Sequence, residues 1–144
     1  MIPSDELAIR NRYAAYCFAA DDRDPKAMAD CFTERATVEV VGQSSLEGRE
    51  AIAGVQETPS TNRHLTLNLW LTSVCEDQAR GRSYFLMLDR TGSVIALGRY
   101  TDEIIRETDG EWRFSRRKIA YEWQEGGYRS FVDGLLGNED RERP

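Results

Sequence analysis

The second half of the chain consists of four long segments with strand-like patterns, which follow one another with only short gaps. These segments cover residues 63–74, 78–89, 93–107 and 111–123. Gly92 and Gly110 mark tight turns between the last three segments. Because a short turn brings the next strand back alongside the previous one, this order predicts an antiparallel meander.

The first half of the chain has helical patterns instead. Residues 4–20 carry apolar side chains near the 3.6-residue period, and residues 24–32 begin with Asp24 and Pro25, which are typical of a helix start. Residues 36–41 predict a short strand and residues 48–55 a third short helix. Helices that precede a meander are typical of an α+β domain with the helices on one face of the sheet.

The composition excludes several classes of function. The chain has 144 residues, 40% hydrophobic and 31% charged, which suits one ordinary globular domain. A net charge of −6 argues against nucleic acid and against an anionic membrane surface as a partner. No apolar run approaches the ~20 residues that span a bilayer, and the start "MIPSDELAIR" is unlike a signal peptide. With three scattered cysteines and no phosphate-binding motif, we expect a cytoplasmic protein without metal or organic cofactor.

The stretch "HLTLNLWL" contains the single histidine of the chain and alternates strictly. In a regular strand, one face would carry His64, Thr66, Asn68 and Trp70. The other face would carry Leu65, Leu67, Leu69 and Leu71. Four leucines in register form a patch that one layer of helices cannot cover. We therefore expect a homo-oligomer, a trimer in preference to a dimer, with this leucine row in the interface.

Asp21 and His64 are the candidate catalytic residues. Asp21 follows an apolar stretch at the C-terminal end of the first helix, where the helix dipole disfavours a negative charge and no capping role explains it. A carboxylate that orients an imidazole is a common general-base arrangement. The pattern also fits an exposed aspartate in a turn and a structural histidine, because the two residues lie in different elements.

Four other residues are candidates for substrate binding: Tyr16, Asn68, Tyr84 and Arg117. Asn68 shares the predicted face of His64, and the two tyrosines could supply a hydroxyl or form the wall of a pocket. Arg117 shares a strand face with Ile119 and Tyr121, where it could hold a carboxylate, a phenolate or a leaving anion.

Six motifs in order resemble the SnoaL-like, scytalone dehydratase-like family of the nuclear transport factor 2-like superfamily. They are "AADDRD", "CFTERATVEV", "GREAI", "NRHLTLN", "GRYTDEI" and "DGEWRFSRRK". The resemblance implies a single SnoaL-like domain over residues 1–144, with the last ~15 residues as a tail. It also implies a cystatin-like cone, in which helices pack on the concave face of a curved antiparallel sheet.

The resemblance assigns roles to particular residues. Asp21 and His64 match the catalytic pair of scytalone dehydratase and of hexachlorocyclohexane dehydrochlorinase, and Arg117 matches an arginine of the latter. Tyr16 matches a tyrosine of bile-acid 7-alpha-dehydratase. Ala20 and Val40 stand where scytalone dehydratase has its two carbonyl-polarising tyrosines, so scytalone itself is not the expected substrate.

These roles imply a cofactor-independent lyase or isomerase that acts on a small hydrophobic or polyketide-like molecule. Two alternatives stay open at this point. One is a non-catalytic structural subunit that resembles the β-subunit of ring-hydroxylating dioxygenases, whose sequences are similar at "RHLTLN". The other is a module that only binds a small molecule.

Overall fold

The computed structural model describes residues 3–57 and 59–125. The helices are α1 (Pro3–Asp21), α2 (Pro25–Asp30) and α3 (Arg49–Gly54), and a 3₁₀ turn follows at Val55–Glu57. The strands are β1 (Phe32–Val40), β2 (Ser44–Glu47), β3 (Arg63–Cys75), β4 (Gln78–Leu88), β5 (Val94–Arg106) and β6 (Trp112–Gln124). The predicted C-terminal tail lies outside the described residues.

The six strands form one curved sheet in the order β2-β1-β6-β5-β4-β3. Strands β3 to β6 are the predicted antiparallel meander, and the α+β fold with N-terminal helices on one face of the sheet is confirmed. One pairing differs from the prediction, because β1 runs parallel to β6. Parallel partners are joined by a long connection, and here the connection runs through β2, α3 and strands β3 to β5. The short strand β2, which was not predicted, pairs with the outer edge of β1.

The two faces of the sheet have different environments. On β4, buried Ala79, Gly81, Ser83 and Phe85 alternate with exposed residues. We call the face that carries them, and that packs against the helices, the inner face. The opposite face, which carries Tyr84 among others, is the outer face. This alternation is the period of two that a strand imposes on its side chains.

Helix α1 covers the inner face through one apolar stripe. Ile9, Tyr13, Tyr16 and Ala20 are buried, and they are spaced three or four residues apart, so they lie on one side of the helix. The rings of Tyr13 and Tyr16 meet the ring of Phe114 on β6 edge to face, with centroids 4.9 and 6.1 Å apart. Such pairs add about 0.5–1.5 kcal/mol each beyond the burial of their area.

Strand β3 contains a bulge that the sequence did not predict. Leu67 pairs with Tyr84, but the next paired residue, Trp70, faces Arg82, so β3 has one residue more than β4 in this interval. Asn68 adopts a φ of 54° at this point. Asparagine tolerates this left-handed conformation better than most residues. The extra residue reverses the facing of the strand as far as a second irregularity between Leu71 and Ser73.

The bulge corrects the predicted faces of β3. Before the bulge, Leu65 and Leu67 lie on the outer face, as their pairing with Leu86 and Tyr84 shows. Beyond it, Leu69 and Leu71 pack against the buried core of the inner face. The predicted row of four leucines on one face is therefore wrong. Trp70 lies on the outer face, where it is 63% exposed.

Candidate functional site

Asp21 and His64 meet where α1 ends and β3 begins. The Oδ1 atom of Asp21 lies 2.8 Å from Nδ1 of His64 and accepts the backbone N–H of His64 at 2.9 Å. Both side chains are only 12% exposed, so water competes little for these bonds. One carboxylate oxygen therefore holds both the start of β3 and the imidazole ring. A ring that donates from Nδ1 to this carboxylate carries its lone pair on Nε2.

The end of α1 determines where Asp21 lies. Arg23 has a φ of 53°, and the backbone N–H of Asp24 donates to the carbonyl oxygen of Ala19 at 3.0 Å. This arrangement is a Schellman turn, in which a left-handed residue reverses the chain just after the helix. The guanidinium of Arg23 also donates to the carbonyl oxygen of Val55 and so ties the helix end to the 3₁₀ turn. The reversal leaves Asp21 in the last turn of the helix, beside β3.

A second polar pair lies one helical turn before the first. Cys17 precedes Asp21 by four residues and Thr66 follows His64 by two, so the two pairs share the same helix and strand faces. The Sγ atom of Cys17 is 3.4 Å from Oγ1 of Thr66. Burial raises the pKa of the Cys17 thiol, and the thiol is therefore neutral at physiological pH.

A buried ion pair lies deeper on the inner face. Arg117 on β6 and Asp102 on β5 face each other across the two strands. Nε and Nη2 of Arg117 donate to the two carboxylate oxygens of Asp102 at 2.8 and 3.0 Å, and both side chains are 0% exposed. Burial opposes the charge of Arg117, but the carboxylate of Asp102 outweighs it and holds the pKa of Arg117 above its usual value. The pair therefore carries two opposite charges inside the protein.

Four aromatic rings surround the guanidinium of Arg117. Its Cζ atom lies 4.0–5.3 Å from the ring centroids of Tyr100, Tyr16, Phe114 and Tyr13. Contacts of a cation with ring faces at this distance are attractive. Burial raises the pKa of each of the three tyrosines, so their hydroxyls stay protonated.

The structure brings four of the six predicted site residues together on the helix side of the sheet. Asp21 and His64 are in direct contact, and Tyr16 contacts Arg117 five residues before Asp21 on the same helix. The sequence predicts that one strand face carries Arg117, Ile119 and Tyr121. Their burial agrees, since the first two are buried and Tyr121 is partly buried. The binding roles of Tyr16 and Arg117 stay predictions.

Asn68 and Tyr84 do not join this group, and the predicted place of Asn68 on the strand face of His64 is corrected. The bulge turns Asn68 away, and the alternation of β4 places Tyr84 between two buried inner-face residues, so that it is 44% exposed on the outer face. Both line a depression of ≈ 220 Å³ on the outer face together with Trp70, Arg82, Arg99 and Thr101.

Asp102 is the functional candidate that sequence reasoning missed. The sequence contained a sign of it, because an acidic side chain is unusual on a strand face of apolar and small residues. The other residues on that face are Ala96, Gly98, Tyr100 and Ile104. The burial pattern of β5 alternates through this stretch, with Asp102 only 1% exposed. An acid on an apolar strand face needs a partner, and Arg117 on the next strand is that partner.

Residues 3–57 and 59–125 were searched for metal-binding clusters and for helices that could span a membrane. No group of three or more histidine, cysteine or acidic residues there is arranged to hold a metal ion. None of the helices there has the length and the apolar character that a bilayer-spanning helix requires.

Solved structures similar to this chain share its cone-like architecture. Rv3472 from Mycobacterium tuberculosis, a protein of unknown function, is 26% identical with a TM-score of 0.78, and the match covers 92% of each chain. An NTF2-like protein with a cystatin-like fold from Novosphingobium aromaticivorans is 23% identical with a TM-score of 0.74, over 92% of this chain and 89% of the other. Hexachlorocyclohexane dehydrochlorinase LinA-type3 from Novosphingobium barchaimii LL02 is 22% identical with a TM-score of 0.72, over 88% and 94%.

Sequence comparison identifies the family. Among curated proteins, none matches the chain. The SnoaL-like domain family matches residues 3–118. These residues include α1 with Asp21, all of β3, and β6 as far as Lys118. The match thus spans most of the chain, including the contact between Asp21 and His64 and the ion pair of Arg117 with Asp102. The chain belongs to the SnoaL-like domain family.

Proposed function

We propose that this protein is a cofactor-independent lyase or isomerase that uses Asp21 and His64 on a small hydrophobic or polyketide-like molecule. The observation that supports the proposal is the 2.8 Å contact between Asp21 Oδ1 and His64 Nδ1 at a position where both side chains are 12% exposed. Among the described residues, Nε2 of His64 has no hydrogen-bond partner. This nitrogen is therefore the atom available to a substrate.

In the proposed reaction, Nε2 of His64 removes a proton from a carbon atom next to an activating group. The electron pair of that C–H bond forms a C=C bond, and the leaving group departs from the neighbouring carbon. The carboxylate of Asp21 keeps the ring in one tautomer and stabilises the imidazolium that forms. When the leaving group is a hydroxide, the imidazolium returns the proton and water is released.

The surroundings suit an apolar substrate. The inner face beside the pair carries Met87 and Phe85, and Tyr16 and Tyr100 lie deeper. Hydrophobic and aromatic walls with a few polar groups are typical of small-molecule sites. One similar structure is named as a dehydrochlorinase, and elimination is the reaction class proposed here.

The test is the rate of elimination on a panel of β-hydroxy ketones and halogenated cyclic compounds. Positioned proton transfer contributes roughly 10²–10⁴-fold to a rate, so we expect His64→Ala and Asp21→Asn each to lower kcat by about that factor. The double variant should lose little more, because residues that act as a unit are not additive. Asp22→Asn changes an exposed neighbouring carboxylate and serves as the matched control.

Three results would decide against this proposal. Activity that survives His64→Ala would exclude the histidine as the base. Activity that EDTA abolishes would point to a metal-dependent reaction. Wild-type protein that binds compounds of the panel without converting them would favour the non-catalytic alternatives, a structural subunit or a binding module.

We also propose that the protein is cytoplasmic and that its partners are its substrate and further copies of itself. Cys17, Cys31 and Cys75 are free thiols, which agrees with a reducing cytoplasm. The proposed partner is the small-molecule substrate, without nucleic acid or membrane, and the proposed assembly is a homotrimer or a dimer.

A further inference from the structure

The depression on the outer face combines the residue types that dominate protein–protein contacts. Its walls include the rings of Trp70 and Tyr84 and the side chains of Arg82 and Arg99, and its volume is ≈ 220 Å³. The two rings are 63% and 44% exposed. Tryptophan, tyrosine and arginine are enriched at the centres of interfaces and among the residues that contribute most to binding. The depression therefore has the composition of an interface centre.

The register of the sheet explains the shape of this depression. Ser83 on β4 pairs with Tyr100 on β5, and both side chains are buried on the inner face, so the backbone alone forms the floor. Arg82 and Tyr84 flank Ser83 on β4 and therefore stand at opposite sides of the floor. Trp70 pairs with Arg82 from β3. The bulge of β3 is the feature that turns this tryptophan to the outer face.

Arg82 differs from three other arginines of the outer face, each of which stands beside a carboxylate. Those three form the pairs Arg99–Glu122, Arg116–Glu39 and Arg80–Glu103. Arg82 instead stands between Trp70 and Thr101 on the neighbouring strands. Within residues 3–57 and 59–125 its guanidinium has no hydrogen bond and no ion pair. The wall of the depression thus presents an exposed positive charge without a counter-charge.

The charge of Arg82 is opposite to that of the whole chain, whose net charge is −6. A second copy therefore offers exposed carboxylates, for example those of Glu34, Glu47 and Glu50 near the β2 edge of the sheet. A carboxylate that enters the depression would meet an unpaired guanidinium beside two rings, which exclude water and strengthen the attraction. Two copies that met through the same depression would instead bring like charges together, which is unfavourable.

We propose that the depression binds an acidic side chain of a second copy of this chain, with Arg82 as the donor to that carboxylate. The outer face of one copy then contacts a different, acidic surface of the next copy. An unlike contact of this kind closes into a ring when its rotation allows, whereas a contact between identical patches gives a dimer. The inference therefore favours the homotrimer over the dimer. It concerns assembly alone and does not depend on the proposed reaction.

The test measures the dissociation constant of the assembly by light scattering over a range of protein concentrations at neutral pH. We expect Arg82→Gln to raise this constant about tenfold or more, because the entering carboxylate loses its partner. Arg82→Lys should raise it less, because lysine keeps the charge but not the paired N–H bonds. Arg35→Gln removes a charge from an exposed position of β1 and is the matched control, which should leave the constant unchanged.

Sodium chloride provides an independent measurement on the same samples. Salt screens the attraction between unlike charges and equally the repulsion between like charges. We expect the dissociation constant of the wild type to rise between about 50 mM and about 500 mM salt. That of Arg82→Gln should rise less over the same range, because the variant lacks the charge that is screened.

Each of three other outcomes would overturn the inference. A wild type that stays monomeric at micromolar concentration would show that a second copy is not the occupant. An assembly that Arg82→Gln or salt strengthens would show that identical patches face each other. Dissociation by Trp70→Glu but not by Arg82→Gln would show that the contact is apolar only. His64→Ala should leave the constant unchanged, so this result and the outcome for the proposed reaction are read separately.

Discussion

Two aspartates at the ends of neighbouring helices have different environments. Asp21 ends α1 and bonds to the backbone and ring of His64. Asp30 ends α2, and its carboxylate accepts from Arg113 at 2.9 Å and from Arg12 at 3.2 Å. Hydrogen bonding from Arg113 holds the pKa of Asp30 below its usual value. The carboxylate of Asp30 is thus stabilised by arginines, whereas Asp21 has a titratable ring as its partner.

The lowered pKa of Asp30 predicts how stability depends on pH. A carboxyl with a lowered pKa in the folded state contributes stability above its unfolded value of about 3.9 and loses it as the pH falls further. Asp30 is 59% exposed, so we expect Asp30→Asn to lower the free energy of unfolding by only about 0.5–1 kcal/mol at pH 7. This difference should shrink as the pH falls below about 4. Urea titrations from pH 7 to pH 3 measure it, with Asp22→Asn as the control for net charge. An equal pH dependence in both variants would contradict the role of Asp30.

The bulge in β3 is the element that decides which residues reach the inner face. Because Asn68 adds one residue, Leu69 and Leu71 replace Asn68 and Trp70 on the side of the helices. The regular alternation of "LTLNLWL" contains no sign of an inserted residue, and asparagine is only a weak hint of a left-handed conformation. Local periodicity therefore predicted the strand but assigned the wrong face to residues 68–71.

Substitutions at Asn68 test the bulge directly. Asn68 has a φ of 54°, which glycine adopts freely and a β-branched residue resists. We expect Asn68→Val to lower the free energy of unfolding by about 1–2 kcal/mol, and Asn68→Gly to change it by less than about 0.5 kcal/mol. Chemical denaturation of both variants measures the difference. Equal stability of the two would show that the left-handed conformation is not required.

The positions of Asp21 and His64 within their own elements made them candidates, but their pairing was implied by the family resemblance, because local patterns do not bring residues of different elements together. One follows the last apolar turn of a helix, and the other begins a long strand. The pairing of Arg117 with Asp102 was not predicted, because β6 has one extra residue, Ser115, between the partners of Ile104 and Glu103, and this insertion makes Arg117 rather than Arg116 the partner of Asp102. The parallel pairing of β1 with β6 was not predicted either, because it joins strands that are distant in the chain.

At the scale of the whole molecule, the outer face has apolar residues without a covering layer in the described part of the chain. Leu67, Trp70, Tyr84, Val94 and Trp123 are between 36% and 63% exposed. Exposed apolar clusters of this kind often mark an interface between subunits. The prediction of a homo-oligomer therefore remains, but its interface is this mixed aromatic and aliphatic surface rather than a row of four leucines.

Light scattering tests the predicted assembly. We expect the wild-type protein at micromolar concentration to have about three times the chain mass of 16.5 kDa, with a dimer as the alternative. Trp70→Glu should shift the protein towards the monomer, because it places a charge in the interface. Leu7→Glu changes a residue of similar exposure on α1 and should leave the assembly intact. A monomeric wild type would refute the prediction.

The order of the strands has a consequence for how Asp21 and His64 are brought together. The meander from β3 to β6 connects strands that are neighbours in the chain, so its loops are short and close at little entropic cost. Helix α1 and strand β1 must instead dock onto a sheet whose last strand is synthesised much later, and Asp21 and His64 are themselves 43 positions apart. Partial unfolding that releases the N-terminal segment would separate Asp21 from His64 while leaving most of the sheet formed. Under the proposed function, such a partly unfolded molecule would lose activity while it keeps most of its β-structure, so activity would report loss of this docking more sensitively than secondary structure does.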